Sequence, residues 1–244
     1  MILVVDAGNS RLKWGLHDGQ DWLRREAVDN ADIARLAHDW EKIATPQKIV
    51  VCNVAGPEVK AALDRLLQRW QAAPYWLVSQ TRQCGVTSGY VEPAQLGPDR
   101  WAALIAAYHL VKGACLVVNA GTAVTVDALT KEGVFLGGLI LPGLELMRAA
   151  LSTGTAGVRA EKGCLEKFPT NTADAVYSGA VQAIAGAVER MAYELEQAEN
   201  EECALVLSGG SAGDLPPLLN RPVMLVDNLV LEGLVMIARE GVAG

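Results

Sequence analysis

The chain carries one short pattern twice, and this repeat constrains the fold more than any other feature. Residues 3–10 read Leu-Val-Val-Asp-Ala-Gly-Asn-Ser, and residues 116–123 read Leu-Val-Val-Asn-Ala-Gly-Thr-Ala. Each copy is a β-branched run that ends in Asp or Asn and continues, after a Gly turn, into a second strand-like stretch. The repeat therefore divides the chain into two related halves. It also places a Gly turn at the same position in each half, which suits a nucleotide phosphate held between them.

Hydrophobic periodicity indicates alternating strands and helices in both halves. The predicted strands cover residues 2–5, 11–16, 22–28, 48–54, 75–78, 115–118, 124–129, 134–141, 204–207 and 223–226. The predicted helices cover residues 32–43, 58–70, 98–112, about ten residues after Pro142-Gly143, 172–197 and 229–239. Residues 79–97 are predicted to form a long loop, a feature that is often functional. This order implies two α/β domains, 1–113 and 114–244, each with a mixed sheet and with a ligand cleft between them.

Composition excludes several classes of protein. The chain has 244 residues, 51% of them hydrophobic, which is ample for a packed core. Its net charge of -7 argues against general nucleic-acid binding, since phosphate backbones need clustered Lys and Arg. No apolar run approaches the roughly 18 residues of a spanning helix. The five cysteines are scattered without a CxxC pair, so we expect a reducing cytoplasm rather than a disulfide framework or a zinc site.

The first copy of the repeat, Asp6 to Lys13, has the composition of a phosphate-binding turn. Gly8 lets a phosphate approach the backbone closely, while Asn9, Ser10 and Lys13 supply donors and positive charge. Asp6 repels phosphate but can hold Mg²⁺ or its waters beside one. The chain has no GxxxxGK[ST] motif and no GxGxxG after a strand, so ATP would need a clamp of two hairpins. A plain β-turn uses the same residue types, and the recurrence in the second half favours the functional interpretation.

A second candidate motif, Gly97-Pro98-Asp99-Arg100, stands where a helix is predicted to begin. The helix dipole favours an ionised Asp99 there. Such a carboxylate can accept the proton of an attacking hydroxyl, and Arg100 can bind an anionic substrate or a phosphoryl oxygen. A solvent-facing helix start is the alternative. Further along, the turn Ser208-Gly209-Gly210-Ser211 fits either an adenosine lying against the backbone or an ordinary Gly turn.

The longest predicted helix begins after Asn171, which is a favoured capping residue, with Asp174 three positions later. Its apolar stripe has the spacing of a heptad repeat. The stripe consists of Val181, Ile184, Val188, Met191 and Leu195. One interpretation is a helix that faces the core of its own domain, and the other is a subunit interface.

Four motifs occur in order along the chain, and together they resemble the type III pantothenate kinases. They are Asp6-Ala7-Gly8-Asn9-Ser10, Gly97-Pro98-Asp99-Arg100, Ala120-Gly121-Thr122-Ala123 and Gly137-Gly138-Leu139-Ile140-Leu141-Pro142-Gly143, and Asn171-Thr172 and Ser178-Gly179 match as well. The resemblance covers nearly the full chain. This family lies within the superfamily of acetate and sugar kinases, heat-shock chaperone ATPases and actin. The resemblance thus implies two duplicated ribonuclease H-like (actin-like ATPase) domains with mixed sheets and an interdomain cleft.

The resemblance also implies a reaction and a site. The reaction is ATP-dependent phosphorylation of pantothenate, the first step towards coenzyme A, with Asp99 as the base on the pantothenate hydroxyl. The residues implied for ATP are Asp6, Ala7, Gly8, Asn9, Ser10, Arg11, Leu12, Lys13 and Thr122, with Mg²⁺ at Asp6. Those implied for pantothenate are Tyr90, Gly97, Pro98, Asp99, Arg100 and Thr172. The family is typically a cytoplasmic homodimer, and neither nucleic acid nor a membrane is an expected partner.

One position departs from the family pattern. The family usually has Asp where this chain has Asn119, and that Asp helps to bind an activating monovalent cation, K⁺ or NH₄⁺. Asn119 is neutral and offers only a carbonyl oxygen for coordination. Either cation binding is weaker here, or other carbonyl groups complete the site.

Two other functions compete with this interpretation. The first is a kinase of the same superfamily for another small metabolite, which the residues of the 85–100 loop would decide. The second is a non-catalytic, nucleotide-binding regulatory homologue. The presence of Asp6, Lys13, Asp99 and Arg100 argues against the second, because a regulator has no physical need for all four.

Overall fold

The computed structural model describes residues 1–158 and 161–241, which form two compact units. The first unit contains Met1–Leu110 together with the C-terminal residues from Asn228, and the second contains Val111–Asp227. The C-terminal helix, which the sequence analysis placed in the second half, is therefore part of the first unit. The division into domains 1–113 and 114–244 remains a prediction.

The first unit is built around a five-stranded mixed sheet with the order β3-β2-β1-β4-β5. Its elements are β1 (Ile2–Ala7), β2 (Arg11–His17), β3 (Trp22–Asp29), α1 (Leu36–Asp39), β4 (Lys48–Asn53), α2 (Pro57–Leu67), β5 (Pro74–Trp76), β6 (Arg82–Gln83), β7 (Val86–Ser88) and α3 (Pro98–Leu110). Strand β1 pairs antiparallel with β2 and parallel with β4. Because β1 lies at the centre of the sheet and consists of almost wholly buried residues, it fixes the position of Asp6 firmly.

The second unit contains strands in the order β12-β11-β8-β9-β10. Its elements are β8 (Cys115–Ala120), β9 (Ala123–Leu129), β10 (Val134–Pro142), α4 (Leu144–Gly154), α5 (Thr172–Glu199), β11 (Ala204–Ser208) and β12 (Val223–Leu225). Strand β8 is as buried as β1 and pairs antiparallel with β9 and parallel with β11. The chain then enters α6 (Leu229–Glu240), which packs on α3, β1 and β4 of the first unit.

The two units repeat one topology, as the sequence repeat predicts. In each, a central strand forms an antiparallel hairpin with the next strand and a parallel pair with a later one. The turns differ in length, because Ala7 faces Leu12 in the first hairpin whereas Ala120 faces Val124 in the second. The predicted α/β class with two mixed sheets is confirmed.

Two predicted segments differ from the structure. The helix predicted over 32–43 is broken into a 3₁₀ segment over Asn30–Arg35, the short α1 and a further 3₁₀ turn, with Asp32 in a non-helical conformation. The predicted loop 79–97 contains the small antiparallel hairpin β6–β7 and a 3₁₀ turn over Pro93–Gln95. Both incorrectly predicted segments consist of short elements, whose stability depends on packing rather than on local periodicity.

Helix α5 confirms its predicted start and decides between the two interpretations of its stripe. The Asn171 side chain accepts a hydrogen bond from the Asp174 backbone N–H at 2.9 Å. The stripe residues are buried or partly buried in the core of the second unit, and the helix packs on β8 and β9. The stripe is therefore a core face, and residues such as Tyr193 form the exposed side. Among the described residues, no helix is both long enough and apolar enough to cross a membrane.

Candidate active site

Asp6 lies at the end of β1 with chemically useful neighbours on both adjacent strands. Lys13 stands opposite it on β2, and Cys52 stands opposite it on β4. The Cys52 thiol donates a hydrogen bond to Asp6 Oδ1 at 3.1 Å. Because burial raises the pKa of Cys52 well above its usual value, the sulfur keeps the proton that it donates.

The pKa of Asp6 is raised to about 6. Burial is the main cause of this rise, and the negative charge of Asp99 raises the pKa further. The hydrogen bond from Cys52 and the positive charge of Lys13 both lower it. The charge of Asp99 raises the pKa of Asp6 and also that of Cys52, which indicates that the two carboxyl groups share one region of the first unit. Two such carboxylates are stabilised in their ionised form when a cation is present.

The donor set around Asp6 fits Mg²⁺ as this metal usually binds. The described residues contain no group of three or more His, Cys, Asp or Glu side chains that could hold a metal. Mg²⁺ dehydrates reluctantly and is commonly held by one or two carboxylates together with substrate phosphates. Asp6 supplies one such carboxylate beside an exposed turn, which fits that pattern.

The turn after β1 is held by backbone hydrogen bonds. The Gly8 N–H donates to the Arg11 carbonyl at 3.1 Å, and the Asn30 N–H donates to the Ser10 carbonyl at 3.3 Å. Asn9 and Ser10 lie exposed at the tip of the turn. This is the geometry expected of a turn that offers its backbone to a ligand.

Asp99 lies in the first turn of α3, where the sequence predicts it. Its Oδ1 accepts a hydrogen bond from the Arg100 backbone N–H at 2.9 Å. Burial nevertheless raises the pKa of Asp99, although this hydrogen bond, its own backbone N–H and the Arg100 charge all lower it. The sequence analysis expected the helix start to favour the ionised form; burial outweighs that effect.

Gly97 and Arg100 shape the surroundings of this carboxylate. A Cβ atom at Gly97 would lie 2.5 Å from Asp99 Oδ1, so the position leaves no room for a side chain beside the carboxylate. The Arg100 side chain is only 5% exposed and donates from Nη1 to the Tyr90 hydroxyl at 3.3 Å. Its guanidinium also lies over the Tyr90 ring, 5.9 Å from the centroid. The structure thus brings Tyr90, Gly97 and Asp99 close to Arg100. Their role in binding pantothenate remains a prediction.

In the second unit, Asn119 and Thr122 occupy the β8–β9 hairpin. Asn119 is the last residue but one of β8, opposite Thr125 on β9 and Ser208 on β11. Thr122 is exposed in the turn, and its carbonyl accepts a hydrogen bond from the Gly143 N–H at 2.9 Å. A Cβ at Gly143 would lie 2.5 Å from that carbonyl oxygen, so a glycine is required for this close packing.

The Gly-rich turn after β11 packs against the same hairpin. Gly209 has φ +102°, and a Cβ there would lie 2.4 Å from the Ala120 carbonyl oxygen. The Ser211 N–H donates to the same oxygen at 3.0 Å. The structure therefore places this turn next to Ala120 within the second unit, and both interpretations of it, adenosine contact and an ordinary Gly turn, stay open.

Thr172 is exposed at the first residue of α5, beside a pocket of about 860 Å³. The pocket is lined mainly by apolar side chains, with polar groups near the start of α5. Its lining includes Pro142, Met147, Leu151, Thr170, Thr172 and Val176. Pro142 immediately precedes Gly143, which links this pocket through the chain to the Thr122 turn.

Two residues of the site were missed by the sequence analysis. Cys52 has no motif around it, and only the parallel register of β1 and β4 places it beside Asp6. Asn30 follows β3 and donates from its side chain to the carbonyls of Gly8 and Asn9. Cys52 lies near the end of β4, which pairs with β1, whereas Asn30 follows β3, which pairs with β2. A search for polar residues near the ends of all the strands of this sheet would have found both.

The fold and the site define a class of protein. Over 98% of this chain and 99% of the other, the structure is similar to a glucokinase from an Antarctic psychrotroph, with a TM-score of 0.53 and 12% identity. A protein from Campylobacter jejuni, named for the Baf family of transcriptional activators, gives a TM-score of 0.61 at 23% identity over 98% of both chains. Identities this low show the fold alone, which is that of sugar kinases and actin-like ATPases.

Sequence comparison narrows the class to one family. Residues 2–194 match the family model of type III pantothenate kinase. A type III pantothenate kinase from Nitrosospira multiformis is 50% identical over 240 residues, covering 98% of this chain and 92% of that protein. The chain belongs to the type III pantothenate kinase family. The resemblance drawn from its motifs is confirmed.

Proposed function

We propose that this chain transfers the γ-phosphoryl group of ATP to the hydroxyl of pantothenate, with Asp99 as general base. Family membership supports the reaction, which is the first step of coenzyme A biosynthesis. The observation that supports the catalytic part is the position of Asp99, which lies buried at the start of α3 with its Oδ1 bonded to the Arg100 N–H, and whose charge raises the pKa of Asp6. One carboxylate stands at the phosphate turn and the other at the substrate motif, as phosphoryl transfer to an alcohol requires.

Asp99 has the properties of a base for a substrate hydroxyl. Its raised pKa makes it a better proton acceptor than an ordinary carboxylate. Its Oδ1 is held by the Arg100 N–H, and the close approach of Gly97 leaves the carboxylate free of a clashing side chain. In this role, Asp99 takes the proton of the pantothenate hydroxyl while that oxygen attacks the phosphoryl group.

The remaining residues bind and orient the two substrates. The turn of Ala7, Gly8, Asn9, Ser10, Arg11, Leu12 and Lys13 holds the ATP phosphates, and Thr122 contacts ATP from the second hairpin. Tyr90, Gly97, Pro98, Arg100 and Thr172 bind pantothenate, whose carboxylate is a suitable partner for the buried Arg100 guanidinium. Asp6 holds Mg²⁺ directly or through water; when bound, this metal neutralises charge on the transferred phosphoryl group.

The monovalent-cation site is the part in which this chain differs from its family. Asn119 has a carbonyl oxygen but no charge, and it faces Thr125 and Ser208 on the two neighbouring strands. We propose that K⁺ or NH₄⁺ binds more weakly here than where a carboxylate is present. The protein acts as a cytoplasmic homodimer, with pantothenate and ATP as its ligands and no nucleic acid or membrane as a partner.

A coupled assay of ADP formation tests this function. Purified protein is given Mg-ATP and, in separate reactions, pantothenate, pantothenate analogues without the terminal hydroxyl, and a panel of sugars. We expect ADP formation only with pantothenate. ADP formation with a sugar but not with pantothenate would support another metabolite kinase, and ATP binding without turnover on any alcohol would support a regulatory protein.

A further inference from the structure

Asn30, which no sequence motif indicates, holds the turn after β1 through three hydrogen bonds. Its Nδ2 donates to the carbonyl of Gly8 at 2.8 Å and to the carbonyl of Asn9 at 3.0 Å. Its backbone N–H donates to the carbonyl of Ser10 at 3.3 Å. Asn30, which directly follows β3, thus donates hydrogen bonds to three consecutive carbonyl groups of the turn.

These bonds fix the orientation of the peptide groups. In a trans peptide, the carbonyl and the following N–H point in opposite directions, and the structure contains no cis peptide among the described residues. When Asn30 holds the Gly8 and Asn9 carbonyls, it turns the N–H groups of Asn9 and Ser10 towards the opposite side of the turn. Successive N–H groups on one side of a turn form a concavity that suits an anion.

The donors of the Asn30 side chain are bonded, but its acceptor is not, and this costs folding stability. Asn30 Oδ1 is buried and has no hydrogen-bond partner among the described residues. Burying an amide oxygen without a partner costs stability, so a purely structural contact at this position would be served better by a smaller or apolar side chain. Among short side chains, only an amide can give two hydrogens from one atom to two carbonyl groups.

We propose that Asn30 is a positioning residue for nucleotide binding: it sets the peptide groups of Gly8, Asn9 and Ser10 in the orientation that receives the phosphates of ATP. The inference rests on the proposed function in taking this turn as the phosphate site. Asn30 acts through the turn and does not itself contact the nucleotide. Asn30 belongs to none of the motifs, because it follows β3 whereas the phosphate turn connects β1 and β2.

The test compares two substitutions with a matched control. Asn30→Leu removes both donors without adding charge, and Asn30→Asp removes them at nearly unchanged volume. Asp32→Asn is the control, because Asp32 is exposed in the 3₁₀ segment that begins at Asn30 and has no part in the proposed site. Binding of Mg-ATP is measured by titration calorimetry without pantothenate, and Michaelis constants for both substrates and melting temperatures are measured alongside.

We expect both Asn30 variants to bind Mg-ATP roughly tenfold more weakly, because a turn that Asn30 no longer holds must order its peptide groups when the nucleotide binds. The Michaelis constant for pantothenate should stay close to that of the wild type, and Asp32→Asn should match the wild type throughout. The melting temperature of the Asn30 variants should fall by only a few degrees, because two hydrogen bonds of an exposed turn are lost. Unchanged Mg-ATP affinity in Asn30→Leu would overturn the proposal. A parallel rise of both Michaelis constants with a larger fall in melting temperature would also overturn it, because that pattern marks a merely structural role.

The test is separable from the proposed function. If the wild-type protein binds Mg-ATP but does not phosphorylate pantothenate, the proposed substrate is wrong, while the calorimetric comparison still decides the role of Asn30. If the wild-type protein does not bind Mg-ATP, both proposals are overturned.

Discussion

Replacement of Gly97 by Ala should impair catalysis while leaving the fold intact. A Cβ atom at this position would lie 2.5 Å from Asp99 Oδ1, about 1 Å inside ordinary van der Waals contact. The backbone at Gly97 has no positive φ, so Ala fits the local conformation. The group that must yield is the carboxylate of Asp99. Its rotation gives up the hydrogen bond from the Arg100 N–H, a loss of about 1 kcal/mol that the restriction of the unfolded chain by Ala offsets.

The size of the effect follows from that displacement. Moving a catalytic group by about 1 Å lowers turnover roughly 100-fold. The free energy of unfolding should be nearly unchanged, because the lost hydrogen bond and the restriction of the unfolded chain by Ala offset each other. We therefore expect Gly97→Ala to lose kcat in the coupled assay while it keeps its affinity for Mg-ATP and its melting temperature.

Gly113→Ala is the matched control, since a methyl group at Gly113 would meet no described heavy atom within 4 Å. Its kcat and melting temperature should equal those of the wild type. A kcat within twofold of the wild type in Gly97→Ala would refute the reasoning, because the carboxylate would then tolerate the displacement. Loss of the folded state in Gly97→Ala would refute the claim that the Asp99 side chain absorbs the strain.

Three further predictions concern the phosphate turn and the second unit. Asp6 has a pKa of about 6 when folded against 3.8 ordinarily, so the folded state binds this proton more tightly and stability falls as pH rises from about 4 to about 6. In denaturant titrations without nucleotide, Asp6→Asn should therefore be more stable than the wild type by roughly 1 to 3 kcal/mol at pH 7.5. At pH 4 it should show no such gain, and a gain of equal size at both pH values would contradict this prediction. Asn119→Asp should restore a carboxylate and strengthen activation by K⁺ relative to choline in the kinase assay, and equal cation responses of variant and wild type would contradict the assignment of Asn119. Gly209→Ala should lower the free energy of unfolding by roughly 2 to 4 kcal/mol, because Gly209 has φ +102° and its Cβ would meet the Ala120 carbonyl at 2.4 Å; a melting temperature equal to that of the wild type would contradict the described packing.

The parts of the fold that the sequence predicted are those with strong local signals. The duplicated hairpins follow from β-branched runs that end in polar turns, and the start of α5 follows from the Asn171 cap. The segment 32–43 was predicted poorly, because Ile33, Leu36 and Trp40 have helical spacing although the chain there alternates between 3₁₀ and α-helical turns. Local periodicity does not distinguish these two helix types.

The candidate site was predictable to the extent that its residues lie in contiguous motifs. Asp6, Gly97, Asp99 and Arg100 are each flanked by residues that mark a turn or a helix start. Contacts across strands carry no such signal: the bond of Cys52 to Asp6 depends on the register of β1 and β4, and the three bonds of Asn30 depend on how β3 ends. The raised pKa of Asp99 was also missed, because it arises from burial that only the folded chain creates.

The most direct test of the account measures pantothenate-dependent ADP formation by the wild-type protein and by Asp99→Asn side by side, with Mg-ATP affinity determined for both. The substitution keeps the shape of the side chain and removes its ability to accept a proton. We expect pantothenate-dependent turnover in the wild type, a roughly 100- to 10,000-fold lower kcat in the variant, and equal affinity for Mg-ATP. No pantothenate-dependent turnover in folded wild-type protein, or near-normal turnover in Asp99→Asn, would contradict the account.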